Sequence, residues 1–233
     1  EGAVHLLRET LEVRRRVLGP RHPHTLNVAM SLAGALQDLG ELTEALELQQ
    51  ETYRAQRSVL GPDNPNTLAT AAILAEMLQV RGDAAEAVAL LQESVDAQRR
   101  ALGAEHPVTL RMTAGLARML RTRGELDRAA QLLEGVLAAE RAALGEEHPS
   151  TLSTALDLAA TLHAQGHTAK AKAIVHAALD AQRRTLGPRH PQTLTTERVR
   201  GCMVASSRLD CLLTVEGHRR LLRSRPGPLS AGV

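Results

Sequence analysis

The sequence predicts an all-α protein, an α-solenoid built from antiparallel pairs of helices. The main observation is a repeat: the segment LGPRHPHTL at Leu18 returns in related form at Leu60, Leu102, Leu144 and Leu186, each time 42 residues further on. A fixed period of this length is typical of one supersecondary unit stacked on copies of itself. The chain also has one tyrosine and neither phenylalanine nor tryptophan, so the aromatic residues that favour strands are almost missing.

Each repeat is expected to begin with a helix that starts at a proline. In the first complete repeat Pro23 suits the first turn of a helix, where its missing N–H costs nothing. Leu26 and Ala33 then belong to a set of apolar residues spaced by three and four, which predicts one buried helix face, and Gly40 ends the helix. The residue before the proline is Asn64 in one repeat, and because asparagine is a strong N-cap we expect a capping role there. The other four repeats place a histidine at this point: His22, His106, His148 and His190.

A second helix follows in each repeat. It begins near Leu42, turns Ala45 and Thr52 inward, and ends at Gly61, which we expect in the left-handed C-cap conformation. The linker to the next repeat is so short that consecutive helices must lie antiparallel and in contact. An arginine recurs near the end of each second helix, where a positive charge complements the helix dipole: Arg57, Arg99, Arg141 and Arg183.

The repeat divides the chain into an array and a different C-terminal segment. The array covers residues 1–194, with a half repeat at 1–21 and full repeats at 22–63, 64–105, 106–147 and 148–189. Residues 195–233 read as a degenerate C-terminal helix and a basic tail, with seven arginines against three acidic residues. Because the chain starts with a second helix, we expect either that it is part of a larger chain or complex or that its first repeat is degenerate.

These motifs resemble the tetratricopeptide repeat family, in the 42-residue form found in kinesin light chains. The Leu-Gly-x-x-His-Pro-x-Thr-Leu junction, the Leu-Ala pair at Leu32-Ala33, the turn glycine and the Glu-Ala step at Glu44-Ala45 all match, and they recur in register through about residue 194. The resemblance implies a right-handed superhelix with a concave groove lined by the first helix of each pair. In that family the groove binds short peptides, including acidic ones.

Two departures separate the chain from kinesin light chains. Those proteins carry two asparagines before the Leu-Ala pair and an aromatic residue three positions after it. This chain has Met30-Ser31 and Ala72-Ile73 before the first two pairs and Leu36 three positions after the first. The asparagines that would clamp an extended peptide backbone are therefore absent, and the cargo specificity of the motor protein is not carried over.

The resemblance also assigns residues to the groove. Arg111, Arg118 and Arg121 come from one helix and, at about 100° per residue, span about 80° of its circumference. Guanidinium groups that converge on a concavity can bind carboxylates or phosphates, so the hypothesis is a groove for acidic or C-terminal-carboxylate peptides. The peptide-binding candidates are Asn27, Gln37, Gln79, Arg111, Arg118, Arg121 and His163.

Several classes of function are disfavoured. No phosphate loop, nucleophile elbow or zinc-protease helix is present, so we expect no enzyme, no catalytic residues and no cofactor. His163 and His167 flank a turn without a nearby cysteine or carboxylate, and Cys202 and Cys211 lack the spacing of a zinc site, so no metal is expected. Unpaired cysteines in a chain with no signal sequence or membrane span favour the cytoplasm. The lack of aromatic stacking residues disfavours nucleic-acid binding.

The leading hypothesis is a scaffold or adaptor that binds peptide segments of partner proteins. The alternative is a regulatory or oligomerisation array attached to a catalytic or nucleotide-switch domain outside this chain. A second alternative is nucleic-acid binding through the basic tail, which contains Arg219, Arg220, Arg223 and Arg225. Steep salt dependence would favour that last possibility.

Overall fold

The structure is a computed structural model that describes residues 2–205. Throughout that range the regular structure is α-helical, which confirms the predicted all-α class. The helices are α1 (Gly2–Val17), α2 (Pro23–Leu39), α3 (Leu42–Leu60), α4 (Pro65–Arg81), α5 (Ala84–Leu102), α6 (Pro107–Arg123), α7 (Leu126–Leu144), α8 (Pro149–Ala164), α9 (Thr168–Thr185) and α10 (Pro191–Ala205).

The even-numbered helices each begin at a proline, and a side chain caps each of them. The ring Nδ1 of His148 accepts a hydrogen bond from the backbone N–H of Ser150 at 3.2 Å. His22, His106 and His190 make the same bond at the same distance. The Oδ1 of Asn64 accepts from the Asn66 N–H at 2.9 Å. The predicted capping role is confirmed, and each imidazole in this role must leave Nδ1 unprotonated to accept.

Glycines end the helices in two different ways. After α2, Gly40 adopts φ 85° and ψ 6° and donates to the Gln37 carbonyl, which closes the helix in the left-handed conformation. Gly61 also has positive φ, at 91°, but its ψ of 162° is extended. The left-handed C-cap expected at Gly61 is therefore wrong, because the chain must leave α3 in an extended direction to reach the cap of the next helix. That region of backbone space is almost restricted to glycine.

The helices fall into two compact units, unit 1 (Glu1–Met119) and unit 2 (Leu120–Val233). In unit 1, α1 packs on α2, α2 on α3, α3 on α4 and α4 on α5. In unit 2, α7 packs on α8, α8 on α9 and α9 on α10. These helices therefore pack on their neighbours in sequence within each unit, as expected for antiparallel helical hairpins joined by short turns.

The buried surfaces between the helices contain both small and large aliphatic residues. The alanines at one position of the odd-numbered helices have no exposed surface, and leucines such as Leu36 and Leu78 are equally buried. Burying a leucine side chain contributes about 1.5–3 kcal/mol, and the small alanines let neighbouring helices approach closely. The alanine at that repeat position is Ala45 in α3, Ala87 in α5, Ala129 in α7 and Ala171 in α9.

Ion pairs connect successive odd-numbered helices in unit 1. Arg15 bonds to Glu51 at 2.8 Å, and Arg57 bonds to Glu93 at 2.7 Å. The hydrogen bond that Arg57 donates to the Glu93 carboxylate, with help from Tyr53, raises the pKa of Arg57. The recurring arginine thus also links neighbouring helices, although a pair this exposed stabilises by only about 0.2–1 kcal/mol.

Helix α10 forms although the Leu-Ala pair is missing from it. Val199 and Met203 pack against Ala159, Ala171 and Val175 in unit 2. The aliphatic contact is thus supplied by other residues, which explains why the helix persists where Arg200 and Gly201 replace the expected pair. The rest of the predicted basic tail lies outside the described residues, and the repeat boundaries remain a prediction.

Candidate functional site

The predicted groove residues differ in how open they are to solvent. Five of them belong to unit 1, where Asn27 and Arg111 are exposed and the other three are half-buried. Arg121 and His163 belong to unit 2 and are only 6% and 7% exposed. The open part of the predicted groove is therefore carried by unit 1. The half-buried residues are Gln37, Gln79 and Arg118.

The burial of Arg121 follows from its position around α6. At about 100° per residue, Arg118 lies within about 20° of Arg111, whereas Arg121 lies about 80° away on the side of the interior. The structure accordingly keeps Arg111 and Arg118 on the open face and takes Arg121 into the interior. Three guanidinium groups do not share one open surface, so the candidate site retains two.

In unit 2, α8 exposes Ser153 at the position equivalent to Arg111 but buries the positions equivalent to Ser31 and Arg118. Asp157 and Ala160 are 1% and 3% exposed. His163 turns its Nδ1 toward the Thr168 hydroxyl at 3.3 Å, across the turn to α9. That contact gives His163 a role in holding the turn.

Within unit 1 the first two even-numbered helices lie side by side. The sulfur of Met30 in α2 is 3.5 Å from the Thr70 hydroxyl of α4. Below them, the amide Nε2 of Gln56 in α3 lies 3.4 Å from the same sulfur, and the amide of Gln49 donates to the Thr70 carbonyl at 3.4 Å. Thus α2 and α4 form a continuous surface that rests on buried amide groups of α3.

The positive charge among the groove candidates of unit 1 comes from α6. Arg111 is exposed in the second turn of α6, and Arg118 is half-buried two turns further on. The Nη2 of Arg118 is 3.7 Å from the point that a Cβ on Gly115 would occupy, and Leu91 of α5 is 3.8 Å from that point. The long side chain of Arg118 therefore lies back along its own helix, over the glycine.

The sequence interpretation missed an apolar part of the same face. In α4, Ile73 and Val80 are 37% and 42% exposed, although apolar residues at helical spacing were assigned to the interior. Ala69, Ile73 and Val80 lie within about 40° of one another around the helix, and Ala69 is also exposed. The available signal was Ile73 itself, because it stands where kinesin light chains have an asparagine.

Over the described residues, no group of three or more histidine, cysteine, aspartate or glutamate side chains is placed to hold a metal ion. Nor is any helix of that part both long enough and apolar enough to span a bilayer. Stacked helical hairpins with an open face of amide, aliphatic and guanidinium groups define the class of repeat proteins that bind other proteins.

Two family profiles described as "Tetratricopeptide repeat" match the chain. One matches residues 68–139 and 115–175, and the other matches residues 1–24 and 25–66. The chain belongs to the tetratricopeptide repeat family. Its repeats are of the kinesin light chain type, which confirms the resemblance inferred from the junction motifs. Proteins with such repeats bind protein partners. No curated protein matches the chain.

Solved structures with similar folds include the nearly identical TPR-like repeats of a Podosopora anserina protein described as a kinesin light chain. One crystal structure of these repeats is 32% identical to this chain, with a TM-score of 0.74, and the match covers 79% of this chain and 87% of that one. A second structure of these repeats is 33% identical, with a TM-score of 0.72 over the same shares. BtubC (BKLC) from P. vanneervenii shares the fold at 16% identity and a TM-score of 0.70, over 99% of this chain and 95% of that one.

Proposed function

We propose that the protein is a non-enzymatic scaffold or adaptor whose unit 1 binds acidic peptide segments of partner proteins. The binding surface is the open face of α2, α4 and the first part of α6. Asn27, Gln37 and Gln79 supply amide groups, and Arg111 and Arg118 supply positive charge. Protein partners follow from the family, and the acidic character of the ligand follows from the exposed guanidinium group of Arg111.

The observation that carries the proposal is the exposure of Arg111 on the same helix face as Arg118. An exposed guanidinium can form two parallel hydrogen bonds to a carboxylate. The half-buried amides of Gln37 and Gln79 can donate to and accept from a peptide backbone. Arg121 and His163 take no direct part, because both are buried in unit 2.

The proposal includes a cytoplasmic location and excludes cofactors and nucleic acid as ligands. The formal net charge is only +2, so the electrostatic attraction to a phosphate backbone is small. With a single tyrosine in the chain, bases also lack a set of aromatic side chains on which to stack.

A binding measurement tests the proposal. A fluorescein-labelled peptide of glutamate, aspartate and serine residues is titrated with the protein, and fluorescence anisotropy gives the Kd. We expect Arg111→Glu to weaken binding about five- to tenfold, since it replaces an attraction by a repulsion near the surface. The matched control is Arg54→Glu, which makes the same charge change at an exposed position of α3.

The control separates a site from general attraction. If both variants weaken binding equally, the peptide responds to net charge and the proposed site is refuted. If neither variant changes the Kd, Arg111 is not a ligand and the proposal also fails.

A further inference from the structure

The sulfur of Met30 lies where polar side chains of three helices of unit 1 meet. Met30 belongs to α2 and is half-buried, so part of its side chain reaches solvent. Its Sδ is 3.4 Å from the Nε2 of Gln56 in α3 and 3.5 Å from the Oγ1 of Thr70 in α4. Gln56 and Thr70 are 2% and 0% exposed. A partly accessible thioether therefore faces two buried groups that carry hydrogen-bond donors.

The side-chain amide of Gln56 is poorly satisfied in this arrangement. Its Nε2 contacts the Met30 sulfur, and a thioether is only a weak acceptor. Among the described residues, no group donates a hydrogen bond to the Oε1 of the same amide. Because buried polar groups in folded proteins are nearly always hydrogen-bonded, the Gln56 amide is a donor that a stronger acceptor on Met30 would engage.

The Thr70 hydroxyl is a second donor, but it already has an acceptor. Its Oγ1 donates to the Asn66 carbonyl at 2.9 Å, one turn back in α4. The single hydroxyl proton can rotate toward Met30 only if it leaves that carbonyl. Gln56 is therefore the principal donor that faces the sulfur.

Oxidation converts the weak acceptor into a strong one. A hydroperoxide transfers one oxygen atom to the sulfur of methionine, the O–O bond breaks, and the peroxide leaves as water or an alcohol. The sulfur loses two electrons and becomes a sulfoxide, which is polar and chiral and which reductases return to the thioether. A sulfoxide inside a packed region usually disrupts it, unless a donor is already in place for its oxygen.

We propose that Met30 is a site of reversible oxidation by hydroperoxides, and that one epimer of its sulfoxide accepts a hydrogen bond from the Nε2 of Gln56. The modified side chain then connects α2 to α3 by a strong hydrogen bond where the thioether makes a weak one. The inference goes beyond the proposed function, because it does not depend on the peptide ligand.

The other repeats supply matched substitutions for both partners. Leu156 stands at the position of Met30 in α8 and is also half-buried. Glu140 stands at the position of Gln56 in α7 and is also buried. Met30→Leu and Gln56→Glu thus place side chains that the same fold already holds elsewhere. The first removes the sulfur, and the second replaces the donor by a carboxylate, which accepts only.

The first measurement is the rate of oxidation at each of the five methionines. Met77, Met119 and Met203 are 3%, 5% and 2% exposed, whereas Met112 is half-buried like Met30. The protein is therefore prepared with Met112→Leu, treated with hydrogen peroxide and mapped by peptide mass spectrometry. We expect Met30 to gain one oxygen at least about tenfold faster than Met77, since oxidation follows exposure.

The second measurement asks whether Gln56 binds the sulfoxide. In the oxidised protein the side-chain amide protons of Gln56 should move downfield in the ¹H–¹⁵N spectrum, and methionine sulfoxide reductase should reverse the change. The urea midpoint should stay in place or rise on oxidation. With Gln56→Glu it should fall on oxidation, because two acceptors then face each other. With Met30→Leu, peroxide should leave the midpoint unchanged.

The contrary results are equally specific. Oxidation of Met30 no faster than that of Met77 would refute the site. An equal fall in the midpoint with Gln56 and with Glu at this position would show that the sulfoxide is not bonded to the amide. If Gln56→Glu does not fold, the amide signal of the unsubstituted Gln56 decides, and an unchanged signal after oxidation overturns the proposal. A sulfoxide that the reductase cannot remove would refute reversibility.

Discussion

Gly40, which follows the last residue of α2, and Gly34 within α2 should respond in opposite directions to the same substitution. Gly40 has φ 85°, and no atom lies within 4 Å of the position of an added Cβ. The cost of Gly40→Ala is therefore conformational: the left-handed backbone disfavours an L-residue by about 1–2 kcal/mol. The stiffer unfolded chain of the variant offsets about 0.4–1 kcal/mol of that cost, so we expect a net loss of about 1 kcal/mol.

Gly34 is the matched control within the same helix. Its φ is not left-handed, and it also has open space where a Cβ would lie. Alanine favours the interior of a helix over glycine by about 0.5–1 kcal/mol, so Gly34→Ala should stabilise the protein by that amount. Urea unfolding followed by far-UV circular dichroism measures both changes. If the two substitutions shift the unfolding midpoint in the same direction, the backbone argument is refuted.

Substitutions at three further residues test the caps, the ion pairs and the interior, each by the same unfolding measurement. His148→Ala should cost about 0.5–2 kcal/mol because it removes the N-cap acceptor of α8, while His148→Asn should keep the cap; equal losses would contradict the capping role. Glu93→Gln should cost no more than about 1 kcal/mol, because its pair with Arg57 is exposed; a larger loss would mean that the pair is more important than its exposure indicates. Leu78→Ala should cost about 2–5 kcal/mol, since Leu78 is fully buried, and a loss below 1 kcal/mol would contradict its place in the core.

The sequence predicted most of the fold because the signals that specify it are local. A proline preceded by a capping residue starts each even-numbered helix. Gly40 ends α2 because the turn after this helix requires a positive φ. The conformation of Gly61 was not predicted, because it depends on the direction of the next helix. Likewise, the link from Arg57 to Glu93 joins residues of two helices, and no pattern within one helix reveals it.

The candidate site was predicted less completely, because exposure depends on neighbouring helices. Arg111 and Arg121 belong to one helix and share a residue type, yet one is exposed and the other is buried. His163 was expected on the groove and lies in the interior of unit 2. Ile73 was missed for the opposite reason: an isoleucine is assigned to the interior unless the packing around it is known.

The most direct test of the binding face uses the two isoleucines of the chain, Ile73 and Ile174. Ile73 is exposed on α4 of unit 1, whereas Ile174 packs against the buried cluster of unit 2. With isoleucine δ1-methyl groups labelled with ¹³C, a titration with the acidic peptide of the anisotropy measurement should shift the Ile73 signal and leave the Ile174 signal in place. A shift of Ile174 alone, or saturable binding that moves neither signal, would contradict the assignment of the ligand to the open face of unit 1.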